Sequence, residues 1–132
     1  MATLCTDIAS SSNTSASNRS FKSLLTLLVM QEISAISSND TKDAELIASP
    51  GAIKTALDLI AEVPSAAIGR PDVSPYFGEL HLTWRLGNKQ LVLMTFSSRT
   101  PLIHHHPANQ GERPIEEANP DRLTHWLSWM RA

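Results

Sequence analysis

Gly78-Glu79-Leu80-His81-Leu82-Thr83-Trp84-Arg85-Leu86-Gly87-Asn88-Lys89-Gln90-Leu91-Val92-Leu93-Met94-Thr95-Phe96 is the stretch that decides the fold class of this chain. Leu80, Leu82, Trp84 and Leu86 alternate with Glu79, His81, Thr83 and Arg85. Successive strand residues point to opposite sides of a sheet, so this run predicts a strand with one apolar and one polar face. Gly87-Asn88 then supplies a pair compatible with a two-residue hairpin loop. The second strand, about Gln90 to Ser97, is apolar on both sides through Leu91, Val92, Leu93, Met94 and Phe96. A strand of that kind is expected near the middle of a sheet, covered on both faces by helices or by a partner.

Helical patterns flank the hairpin. Phe21, Leu24, Leu25, Leu28, Ile33 and Ile36 follow a period close to 3.6 residues, which predicts a helix over 20–37. Leu27, Val29 and Met30 widen its apolar stripe, so most of its circumference is expected to be buried. Asn18 or Ser20 is placed to cap it. The second helix is better marked. Ser49 stands as N-cap and Pro50 at the first helical position, where a missing N–H is harmless. Ile53, Ala56, Leu57 and Ile60 form its face, and Pro64 ends it. A third helix begins at Asn119-Pro120, with Leu123, Trp126, Leu127 and Met130 as its stripe and Trp129 at the edge.

The remaining segments are connections. Residues 64–78 carry Pro64, Gly69, Pro71, Pro75 and Gly78, with a short strand expected near Asp72–Ser74. Residues 98–118 read as irregular, with a further strand expected at Leu102 and Ile103. Residues 1–19 are rich in Ser, Thr and Asn and predict a flexible tail. The expectation is therefore a tail over 1–19 and one α+β domain over 20–132. In it a small antiparallel sheet, centred on the hairpin at about 79–97, packs against two N-terminal helices and a C-terminal one.

Composition narrows the function. Of 132 residues, 11 are basic and 13 acidic, a formal charge of −2. The basic residues are scattered singly, which argues against a dedicated nucleic-acid binder. The single cysteine, Cys5, excludes an internal disulfide and suits a cytoplasmic protein. Leu24–Met30 after Arg19 and Lys22 imitates a signal peptide, but Gln31-Glu32 interrupts it. The run is far short of the roughly 20 apolar residues of a membrane span.

No catalytic signature is present. The glycines are too dispersed for a phosphate loop, and neither G-x-S-x-G nor C-x-x-C occurs. His104-His105-His106 reads first as a solvated loop; the alternative is a metal site, because His104 and His106 would project to one side of an extended segment. His81 or His125 would complete a set, yet HExxH-type spacing is missing. Glu116-Glu117, and the group Asp40, Asp43 and Glu45, sit in polar segments that favour solvated charge over acid–base work. Glu79, His81, Thr83 and Arg85 line one strand face that reads first as a solvated surface, with a binding groove or small active site as the alternative. Trp84, Trp126 and Trp129 are three of only seven aromatic residues. Tryptophan brings large apolar area with a polar handle, so Trp126 and Trp129 join His81 and Arg85 as candidate partner-binding residues. No cofactor is expected.

One further pattern runs from Ser49-Pro50-Gly51-Ala52-Ile53 through Leu59-Ile60-Ala61 and Pro64 to Pro71-Asp72-Val73-Ser74-Pro75 and Gly78-Glu79-Leu80-His81-Leu82-Thr83-Trp84. Over about residues 46–97 it resembles a set of small, mostly uncharacterised bacterial α+β proteins. In those a helix leads through P-x-V-x-P into a G-x-L-x-L-x-W hairpin. Their N-W-D-G-Y-G-A-like segment is replaced here by Asn39-Asp40-Thr41-Lys42-Asp43-Ala44. The resemblance implies an accessory or antitoxin-like role and no particular site residues. Three functional classes stay open. The first is a non-catalytic module, antitoxin-like or accessory to a phage-defence system, that docks on a nuclease or toxin-like effector, with an exposed hairpin edge available to extend a partner's sheet. The second is a virus-encoded inhibitor of a host nuclease or defence effector. The third is a small metal-binding protein or enzyme built on the histidines.

Overall fold

The leucine alternation becomes strand register in the computed structural model, which describes residues 23–37, 43, 46–64, 66–108, 111 and 114–132. The expected tail over 1–19, Cys5, the expected caps Asn18 and Ser20, Phe21 and most of the polar connection after Ile36 lie outside these residues, while the Thr26 N–H at the observed start of the first helix donates to Ser23 Oγ at 3.1 Å.

Among the described residues three helices and five strands form, in the order α1 (Leu24–Ser37), α2 (Pro50–Glu62), β1 (Asp72–Tyr76), β2 (Glu79–Leu86), β3 (Lys89–Thr95), β4 (Leu102–His106), β5 (Ile115–Glu117) and α3 (Pro120–Met130). The fold is α+β. All strand pairs are antiparallel, and strand order follows chain order from β1 to β5. Leu86 pairs with Lys89, which leaves Gly87-Asn88 as the two-residue loop. Gly87 takes the positive φ, 61°, that such a loop needs at its first position.

Local chemistry sets the helix ends. The Ala52 N–H donates to Ser49 Oγ at 3.1 Å, and the Arg122 N–H donates to Asn119 Oδ1 at 2.8 Å. Both caps precede a proline in the first turn. One buried cluster then joins the elements. It runs from Val29 and Ile33 on α1, through Ala56 and Ile60 on α2, to Leu80, Leu82, Leu91, Leu93 and Ile103 on the sheet and Leu123 and Leu127 on α3. The helix-to-sheet approach is close at one point. Thr95 Oγ1 donates to the Ala52 carbonyl at 2.8 Å. A Cβ on Gly51 would lie 2.7 Å from the Ser97 carbonyl oxygen, so only glycine fits there.

Three sequence expectations need correction. The hairpin edge is not exposed: β2 lies between β1 and β3, and β3 between β2 and β4. The free edges belong to β1, which carries Pro75 and so lacks a donor there, and to the three-residue β5. Next, α1 is not buried around most of its circumference. Leu24 and Leu27 are 75% and 50% exposed, and Leu28 lies beside them on the same face. Its core face is narrow, with Thr26, Val29 and Ile33 inward. Finally, β5 lies in a stretch whose sequence reads as irregular.

Candidate docking face of the sheet

Register divides the side chains into two sets. Leu80, Leu82, Trp84, Leu91, Leu93, Thr95, Ile103 and His105 lie beneath the helices and are buried. The opposite face is assembled row by row. Ser74, His81, Met94, Leu102 and Glu117 form one row across the five strands. Asp72, Thr83, Val92, His104 and Ile115 form the next, and Arg85, Gln90 and His106 the third. Among the described residues no helix packs on this side. Val92, Met94 and Leu102 at its centre stay partly exposed, outside the core cluster.

The centre is apolar and the margin polar. At one margin Arg85 Nη1 donates to Asp72 Oδ2 at 2.7 Å, an exposed pair. At the opposite end His81 Nε2 lies 2.9 Å from Glu79 Oε1. The His81 ring also sits 5.7 Å from Tyr76, which meets Phe77 edge-on at 4.8 Å. Tyr76 and Phe77 are 50% and 53% exposed. Phe77 holds a φ of 47°, in the left-handed region that bulky residues seldom adopt. The turn is held from both sides: Gly78 N–H donates to the Ile47 carbonyl at 2.7 Å, and Ser49 N–H to the Gly78 carbonyl at 2.8 Å. A strained turn thus presents two aromatic rings to solvent beside the open face.

The histidine run is not a solvated loop: it belongs to β4 and splits as strand geometry requires. His104 and His106 reach the open face, and His105 enters the core. Burial holds the His104 pKa below its ordinary value of 6.5, with the neighbouring His105 and His106 adding to the effect. His81 and His104 stand two strands apart, roughly 10 Å at ordinary strand spacing, too far to share an ion. No group of three or more His, Cys, Asp or Glu among the described residues is arranged to hold a metal.

The two candidate tryptophans lie on the other side. Trp126 stacks on His105 with ring centres 3.8 Å apart, and Trp129 meets both rings edge-on. Trp126 Nε1 donates to Glu116 Oε1 at 3.1 Å, and Lys89 Nζ sits 5.0 Å over the Trp129 ring. Both indoles are half-buried against the core. Each has an internal packing role, so replacing either disturbs the fold as well as any contact it makes outward. His81 and Arg85 do lie on the open face. Sequence reasoning passed over Val92, Met94 and Leu102 as surface residues, and Tyr76 and Phe77 as an exposed pair. Phe77-Gly78 carried a usable signal: an aromatic in a glycine turn has no core to enter.

Comparison of the chain with protein-family models, with curated proteins and with solved structures returned no match. No helix among the described residues is long and apolar enough to cross a membrane.

Proposed function

We propose that this protein is a non-catalytic docking module that binds another protein through the open face of its sheet. One observation carries the reading: the central strand turns Val92 and Met94 to a side where no described element packs on them. Contiguous apolar surface with a polar rim is the usual composition of a recognition patch. Leu102 continues the apolar strip from Met94, His104 stands between Val92 and Ile115 within it, and His81, Arg85 and Glu117 border it. The Tyr76–Phe77 pair adds rigid aromatic area at one end. The partner is a protein presenting a complementary apolar strip bordered by charges of both signs.

The resemblance of residues 46–97 extends this to an antitoxin-like or defence-accessory subunit that covers a nuclease or toxin-like effector, in the cytoplasm. Backbone pairing at a sheet edge contributes little here, because Pro75 and the brevity of β5 blunt both edges. Affinity then comes from side chains on the face.

The test is capture from extract of the native host, wild type against Val92→Glu with Met94→Glu. The variant is expected to fold normally, since neither residue enters the core, and to lose a partner that the wild type retains. Equal recovery of that partner by the variant, or robust substrate turnover by the isolated wild-type protein, overturns the proposal.

A further inference from the structure

Beside the C-terminal end of α3 lies a hollow of 140 Å³. Trp84, Leu127 and Met130 wall it, and Arg70, Arg85 and Arg131 stand around it. Arg70, Arg85 and Arg131, three of the seven arginines in the chain, border this apolar depression, with the Arg85 guanidinium turned to Asp72 on the open face of the sheet. They come from three separate elements: the connection before β1, the end of β2, and the residue after α3. No carboxylate lines the hollow.

Structural duties account for only part of this positive charge. Arg85 is held by Asp72 at 2.7 Å, and Arg70 Nε lies 3.4 Å from Glu32 Oε1. Arg131 has no ion pair among the described residues. The carbonyl end of α3 attracts cations, but Lys89 already meets that need: its Nζ donates to the Trp129 and Ala132 carbonyls at 2.8 and 3.0 Å. The Trp84 N–H is likewise occupied, donating to the Gly69 carbonyl at 3.0 Å. What remains, among the described residues, is an apolar recess with the unpaired Arg131 guanidinium beside it.

We infer that the hollow binds a carboxylate carrying one compact apolar group. A volume of 140 Å³ suits a ring or a branched aliphatic side chain, close to the roughly 150 Å³ of apolar cavities that admit benzene. The Arg131 guanidinium at the mouth matches a carboxylate in geometry and charge. A free aromatic or aliphatic acid satisfies this chemistry, and so does the last residue of a polypeptide ending in an apolar side chain. The site is separate from the proposed docking strip; of its residues only Arg85 also borders the open face.

The three tryptophans provide an internal control. In nitrogen-15 spectra, benzoate is expected to shift the Trp84 indole signal saturably while those of Trp126 and Trp129 stay in place. Benzamide, equal in size and uncharged, should bind at least about tenfold more weakly, and Arg131→Gln should weaken benzoate binding about tenfold. Ala67→Leu, which fills the hollow from its wall, should abolish the shift. A peptide ending in free leucine that outcompetes benzoate, with its amidated form inactive, identifies a polypeptide terminus as the source. Benzoate binding tighter than the peptide identifies a free acid. No saturable Trp84 shift with either probe overturns the inference, as does equal binding of benzamide and benzoate, or unchanged affinity in the exposed Arg131→Gln variant. Failure here leaves the docking capture experiment unaffected, because that variant pair lies at Val92 and Met94.

Discussion

On β3, Leu91, Leu93 and Thr95 are sealed beneath the helices, while Val92 and Met94, one residue away in sequence, reach the other side and stay partly exposed. Leu91 and Leu93 are as hydrophobic as Val92 and Met94 and lie in the opposite environment. Hydrophobic character along a central strand therefore records what must be covered, and does not record whether this chain supplies the cover. On the helix side the chain covers itself, with α2 and α3 laid over the same cluster. On the other side no described element does so, and that asymmetry is the basis for assigning the open face to a partner.

The comparison breaks most readily on β3 itself. Leu93→Ala should lower unfolding free energy by about 2–5 kcal/mol, the range for emptying a core leucine site. Val92→Ala should change it by less than about 1 kcal/mol, as for a partly exposed position outside the core. Urea denaturation of the two variants decides the matter; similar losses would mean that Val92 is covered after all. A smaller effect is expected where α2 meets the sheet. Gly51→Ala drives a methyl toward the Ser97 carbonyl and should destabilise by about 1–3 kcal/mol, with the loop after β3 reporting the strain in amide exchange. An unchanged midpoint would show that this junction yields.

The smallest effect is a pH slope on the open face. Folding lowers the His104 pKa below 6.5, mainly through burial. As pH falls, the unfolded chain takes up this proton before the folded one does. Stability therefore declines as pH drops through the ordinary histidine range, and levels off once the lower folded pKa is passed. Above that range the contribution is constant. His104→Asn should flatten part of the slope, read from urea midpoints in mildly alkaline and mildly acidic buffers. An unaltered slope would remove His104 as its source.

Much of the architecture was legible because it rests on local chemistry. Ser49-Pro50 and Asn119-Pro120 announce helix starts, and both form as caps. Gly87-Asn88 sets the hairpin register, and alternation places His81 and Arg85 together on the polar side. Leu102-Ile103 marks β4. Other features depend on topology. β5 has three residues, too few to show a period, and forms by pairing with β4. Pairing on both sides removed the hairpin edge, which only the full strand order reveals. Leu24, Leu27 and Leu28 look like core residues in sequence, yet α1 turns them outward because its inner face is filled by Thr26, Val29 and Ile33. Arg70, Arg85 and Arg131 are distant in sequence and come to border one hollow only through the fold.

The claim that the uncovered side of the sheet receives a partner is tested most directly by position-specific photocrosslinking in extract of the native host. A photoreactive side chain at position 94, on the open face, is compared with one at position 54, on the exposed side of α2. The account predicts a discrete protein adduct from position 94 and none from position 54. The same adduct from both positions, or an adduct from position 54 alone, would contradict it.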